Sequence, residues 1–244
     1  MNDPSRPART TGGRKAPVGM DLTDTRRAGP FHKVLFLFFF AALCLSGIHP
    51  TDRFVWVSQS AAPILGAALL YAIRRRYLPS RLTACLLLLQ GLLLLTGAHY
   101  GFHAIPFFRF RMSDGSLRAC VDWLTHFVDG LVYARITIEL RAGRPKHAAP
   151  IRPWDKLTAH GKTAALALCV SLALATLWEL VEWLARLATH DRFVMTGGYS
   201  ADTLMDMLLT VMGTLMAVVA GTAWCITANR CAANRRNEMN KPEA

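Results

Sequence analysis

Six apolar stretches, each near the roughly 20 residues that a helix needs to cross a bilayer, constrain this chain more than any other feature. They cover residues 31–48, 54–73, 82–105, 119–140, 162–188 and 203–227. Backbone N–H and C=O groups in lipid must find partners within the protein, so runs of this kind are expected to be helices. The expected fold is all-α, one polytopic membrane bundle of about six transmembrane helices over residues 31–228. A Pro-, Gly- and Arg-rich disordered tail is expected at 1–30 and a cytoplasmic tail at 229–244. The fourth stretch carries the weakest signal, because it is strongly polar on one side.

A formal net charge of +12 would suit a nucleic-acid binder. Here, however, the basic residues lie between hydrophobic runs and do not stripe a soluble surface, so no nucleic-acid partner is expected. With the N-terminus inside, 21 of the 28 Lys and Arg fall on the inner side and six on the outer, while Arg135 lies within a span. Positive charge favours the cytoplasmic side in short loops, which predicts cytoplasmic termini. Omitting the fourth span would move the basic loop after residue 140 to the outer side, a much poorer arrangement.

Against this background two glutamates stand out. Residues 172–188 read LALATLWELVEWLARLA, with Glu179 and Glu182 inside an otherwise apolar helix. A carboxylate near the centre of a spanning helix costs roughly 2.5–3.5 kcal/mol on insertion scales, so two of them call for partners. The chain supplies candidates: His99 and His103 at the end of span three, Asp122, His126 and Asp129 early in span four, and Asp202 and Asp206 at the start of span six. Spacings of three, four and seven residues put each group on one helical face. The predicted topology sets all four groups in the outer half of the bilayer.

Carboxylates crowded in low dielectric need counter-charge from protons, basic residues or a cation. Mixed His and carboxylate ligands on facing helices hold Zn, Mn or Fe in bundles, although the Glu-x-x-His pair of di-iron bundles is absent. We assign His99, Asp122, His126, Asp202 and Asp206 as candidate metal ligands and Glu179 or Glu182 as the catalytic base of a metal-dependent hydrolase. Its substrate would be a lipid headgroup or an envelope small molecule. A proton- or cation-coupled transporter is the alternative, disfavoured because spans one and two are bland and no internal repeat is evident. A structural or regulatory subunit with a buried polar network is the third reading; Asp202 as a helix cap and a Glu182–Arg186 pair would fit it. Arg135 and Glu139, one turn apart, suit a local pair. Gly213, Ala217 and Gly221 form a small-residue stripe suited to close helix packing.

Several short motifs occur in a definite order: His99-Tyr100 with Pro106, Asp122-Trp-Leu-Thr-His126-Phe127 with Gly130, Trp178-Glu179-Leu-Val-Glu182-Trp183, and Asp202-Thr-Leu-Met-Asp206-Met207. Together they resemble the bacterial inner-membrane family typified by YjdF, from about residue 30 to residue 225. The resemblance implies a multi-span fold in the bacterial inner membrane and no established activity. It covers His99, Tyr100, Asp122, His126, Glu179, Glu182, Asp202, Asp206 and Met207. The chain departs from the family pattern at Ala104 and Tyr199, where acidic residues are common, and His103 and Asp129 have no counterpart. One reading is that these two replace the missing acidic groups.

Overall fold

The computed structural model describes residues 29–111, 117–142, 153–189 and 199–239. Six α-helices carry it: α1 (Pro30–Ser46), α2 (Arg53–Ile73), α3 (Arg81–Tyr100), α4 (Val121–Ala142), α5 (Pro153–Thr189) and α6 (Tyr199–Met239). Among the described residues, four regions are long and apolar enough to cross a membrane, Arg53–Ile73, Arg81–Tyr100, Gly161–Ala185 and Asp202–Ala223, and α1 is a shorter apolar helix.

The starts of these helices follow from local chemistry. Asp52 caps α2 by accepting from the Phe54 and Val55 amides at 2.7 and 3.1 Å, and Ser80 caps α3 through the Thr83 amide. The third stretch ends earlier than the apolar run suggests. Gly101 takes a φ of 76°, a left-handed conformation that glycine adopts without a Cβ clash, and its N–H closes on the Gly97 carbonyl at 2.7 Å. The chain then turns so sharply that the Phe102 ring lies where a Cβ on Gly97 would stand. His103 therefore falls in a separate 3₁₀ turn, Phe102–Ala104, and the expected i,i+4 pairing of His99 and His103 along one helix does not form. A short antiparallel hairpin, Arg109–Arg111 with Leu117–Ala119, departs from the expected all-helical composition.

α4 packs against α3, α5 and α6, while α1 and α2 pack on α3. This position explains why the fourth stretch is the least apolar: its neighbours are protein, so its polar residues need not face lipid. The core is correspondingly rich in small and polar groups, with Ala134, Ala167 and Ala217 meeting at one level and Thr125, Thr210 and Thr214 buried. The exterior is the reverse. Leu37 and Phe38 on α1, Leu177 and Leu184 on α5, and Leu208 and Leu215 on α6 are exposed. Apolar surface on that scale is unsuited to water and suited to lipid.

At one end of the bundle, Glu139 of α4 joins the start of α3. One carboxylate oxygen accepts from Ser80 Oγ at 2.6 Å, from Thr83 Oγ1 and from Arg135 Nη2 at 3.0 Å. The other accepts from the Tyr77 hydroxyl at 3.0 Å and the Ser80 amide at 3.1 Å. Burial, together with the adjacent Glu139 charge, holds the Tyr77 hydroxyl above its ordinary pKa, so it remains a donor. The Arg135–Glu139 pair thus also ties two helices together, beyond the local pairing that the sequence suggests. Glu139→Ala is expected to destabilise the protein by roughly 3 kcal/mol, because it strands a partly buried guanidinium. Thermal unfolding in detergent checks this, with Arg75→Ala at an exposed position after α2 as the near-neutral control.

Candidate metal centre

The site starts from two glycines. A Cβ on Gly130 would stand 2.0 Å from the Thr210 carbonyl oxygen, and one on Gly213 would stand 2.0 Å from that of Phe127. The α4 and α6 backbones therefore touch, with Thr214 Oγ1 donating to the Gly130 carbonyl at 3.3 Å. Of the predicted small-residue stripe, Gly213 and Ala217 lie buried in the helix contacts, whereas Gly221 has only an ordinary contact with Ile138. One turn from this contact, the same close approach brings His126 of α4 to Asp206 of α6.

His126 Nε2 lies 3.6 Å from Asp122 Oδ1 and 3.8 Å from Asp206 Oδ2. Both separations exceed hydrogen-bonding range. They approach the roughly 3.4 Å expected between two ligand atoms about 2.1 Å from one tetrahedral ion. One ligand atom from each of Asp122, His126 and Asp206 lies within 4.8 Å of the others. The side chains of His126 and Asp206 are 6% and 4% exposed, against 24% for Asp122, so the cluster opens on the Asp122 side. Asp122 and Asp202 occupy the first turns of α4 and α6, where the positive ends of the helix dipoles favour carboxylates.

α5 supplies the glutamates. Glu179 is buried and accepts from Thr203 Oγ1 of α6 at 2.6 Å. It acts electrostatically on His126. Glu182 sits three residues after Glu179 on the same face of α5 and is partly exposed. Neither glutamate belongs to the three-residue group, and Glu182 is the less enclosed of the two. Asp202 is buried one turn before Asp206 on α6.

Two other histidines and one aspartate were candidates for this neighbourhood. His99 is not part of the three-residue group: its Nδ1 lies 2.8 Å from the Ser46 carbonyl oxygen, and its ring meets Tyr100 edge-on. With Thr51 N–H donating to the His99 carbonyl at 2.9 Å, it clasps the α1–α2 connection to α3. The His103 side chain and that of Arg186 lie outside the described residues. Asp129 accepts from Gln90 Nε2 of α3 at 2.6 Å. Sequence reasoning missed Gln90 and Thr203. Gln90 was visible as a lone amide in the run CLLLLQGLLLL; nothing set Thr203 apart from other helical threonines.

The apolar exterior, the glycine-mediated helix contact and the buried cluster of His and carboxylates define a multi-pass helical membrane protein with a polar site inside its bundle. The chain belongs to the family described as Predicted membrane protein (DUF2238), whose family model matches residues 31–226. It is similar to inner membrane protein YjdF of Escherichia coli (strain K12), with 31% identity over 181 residues, covering 72% of this chain and 82% of that protein. It is accordingly a protein of the bacterial inner membrane. No solved structure matches it.

Proposed function

We propose that Asp122, His126 and Asp206 hold a divalent ion and that the protein is a metal-dependent hydrolase of a lipid headgroup or envelope small molecule. The observation that carries this reading is the spacing at His126 Nε2, too long for hydrogen bonds to either carboxylate and near that of ligands sharing an ion. A bound divalent ion lowers the pKa of its water towards about 7. Glu182 is the better placed base, because Glu179 is buried and engaged by Thr203. Glu179 then stabilises the positive charge beside His126. Zn, Mn and Fe all suit one imidazole and two carboxylates.

The proposed topology has six spans and cytoplasmic termini. At 1.5 Å per residue, the 17 residues of α1 and 22 of α4 extend about 26 and 33 Å, comparable to a hydrocarbon core of roughly 30 Å. The charge asymmetry then puts the cluster in the outer half of the bilayer, accessible to outer-leaflet lipid.

The test is elemental analysis of detergent-purified protein, followed by hydrolysis assays on phospholipid vesicles and envelope metabolites. About one ion per chain is expected. Glu182→Gln should keep the ion and lower turnover by about 10²–10⁴-fold, the usual contribution of a general base. Folded protein that takes up no ion would refute the reading. Ion-coupled flux in reconstituted vesicles without hydrolysis would replace it with a carrier.

A further inference from the structure

A second feature lies far from the triad, in the half of the bundle that contains the end of α4. Between α4 and α5 runs a groove of about 300 Å³. Its walls are formed by Ile136 and Leu140 on α4 and Leu166, Val170 and Leu174 on α5, and Arg141 stands at its end. The α5 residues recur every fourth position, so they form a continuous row along one helical face. From Leu166 to Leu174 the row extends about 12 Å at 1.5 Å per residue, most of the depth of one leaflet. An acyl chain fits this shape and chemistry.

The charge at its mouth narrows the occupant. Arg141 occupies the last turn of α4. Lys162, exposed, precedes Leu166 by one turn on the same α5 face. Glu139, the acidic residue closest to Arg141 along α4, is engaged by Arg135 and by Tyr77, Ser80 and Thr83 towards α3, so its charge is committed elsewhere. A guanidinium suits bidentate binding of a phosphate. A zwitterionic headgroup would bring its own ammonium against these cations.

We propose that this groove is a binding site for an anionic phospholipid of the cytoplasmic leaflet, with one acyl chain between α4 and α5 and the phosphate on Arg141 and Lys162. At about 1 kcal/mol per basic residue near a membrane surface, two cations give a preference of tenfold or more for the anionic lipid.

Native mass spectrometry of the purified full chain tests this, with dioleoyl phosphatidylglycerol or dioleoyl phosphatidylcholine added at equal concentration. The phosphatidylglycerol adduct should exceed the phosphatidylcholine adduct at least tenfold. Arg141→Gln should cut that preference about fivefold, and the double variant Arg141→Gln, Lys162→Gln should bring the two close to equality. Val170→Trp, which fills the groove, should remove both adducts, and Leu174→Phe serves the same purpose if that variant does not fold. Equal adducts on the wild type would overturn the proposal. So would an undiminished phosphatidylglycerol adduct on folded groove-filled protein, because the basic surface or another part of the chain would then hold the lipid. Displacement of the lipid by an equal concentration of glycerol phosphate would overturn it too, since the ligand would then be a free phosphate.

Discussion

Gly130→Ala is expected to destabilise the protein severely, against the intrinsic preference of its helix. In an exposed helix interior the same change stabilises by about 1 kcal/mol, because alanine loses less backbone freedom than glycine. At position 130 the added methyl would stand 2.0 Å from the Thr210 carbonyl oxygen and 2.8 Å from the Thr214 nitrogen. These are backbone atoms of α6 and cannot rotate away, so the helices must part. Overpacking costs roughly 1–3 kcal/mol and sometimes more. Separation here also breaks the Thr214 bond to the Gly130 carbonyl and draws His126 from Asp206. Gly213→Ala should behave alike, since its methyl would meet the Phe127 carbonyl oxygen at 2.0 Å. Gly66→Ala and Gly161→Ala, with nothing within 4 Å of the added methyl, should be neutral or slightly stabilising. Thermal unfolding in detergent, followed by size-exclusion chromatography, reads all four. If Gly130→Ala melts with the two controls, α4 and α6 do not approach as described.

The same glycines mark how far the sequence could be read. Hydropathy runs were enough to find each of the six α-helices among the described residues, because lipid imposes one pattern on any residue that faces it. They placed the end of α3 too late, because Ile105 and its neighbours are apolar whether helical or not, and the turn depends on the backbone conformation of Gly101. The polar residues of spans three to six were legible as anomalies of insertion energy. Which of them meet was not, since helical spacing assigns a face but not the partner opposite it. His99 and His126 look alike in sequence, yet His99 bonds the Ser46 carbonyl while His126 faces two carboxylates. Gly213 and Ala217 announced a close contact. Only the fold identified α4 as the partner and linked that contact to the site.

That difference between the two histidines yields the second large effect. His126→Ala is expected to reduce bound metal from about one ion per chain to nearly none, because it removes the nitrogen between Asp122 and Asp206. Asp206→Asn should also lose the ion, since a neutral amide replaces a buried carboxylate. His99→Ala should retain it. Its cost is the bond to Ser46, about 1 kcal/mol of stability, together with the edge contact on Tyr100. Glu179→Gln should keep the ion with affinity lowered about 10–100-fold, the usual consequence of losing a group just outside the ligands, because it acts on His126 without joining the triad. Elemental analysis of the four variants, each first checked for a monodisperse fold, separates these outcomes. Loss of metal from folded His99→Ala would make His99 a ligand and require α3 to swing towards α4. Retention in both His126→Ala and Asp206→Asn would leave the triad a buried polar junction whose role is to hold α4 against α6.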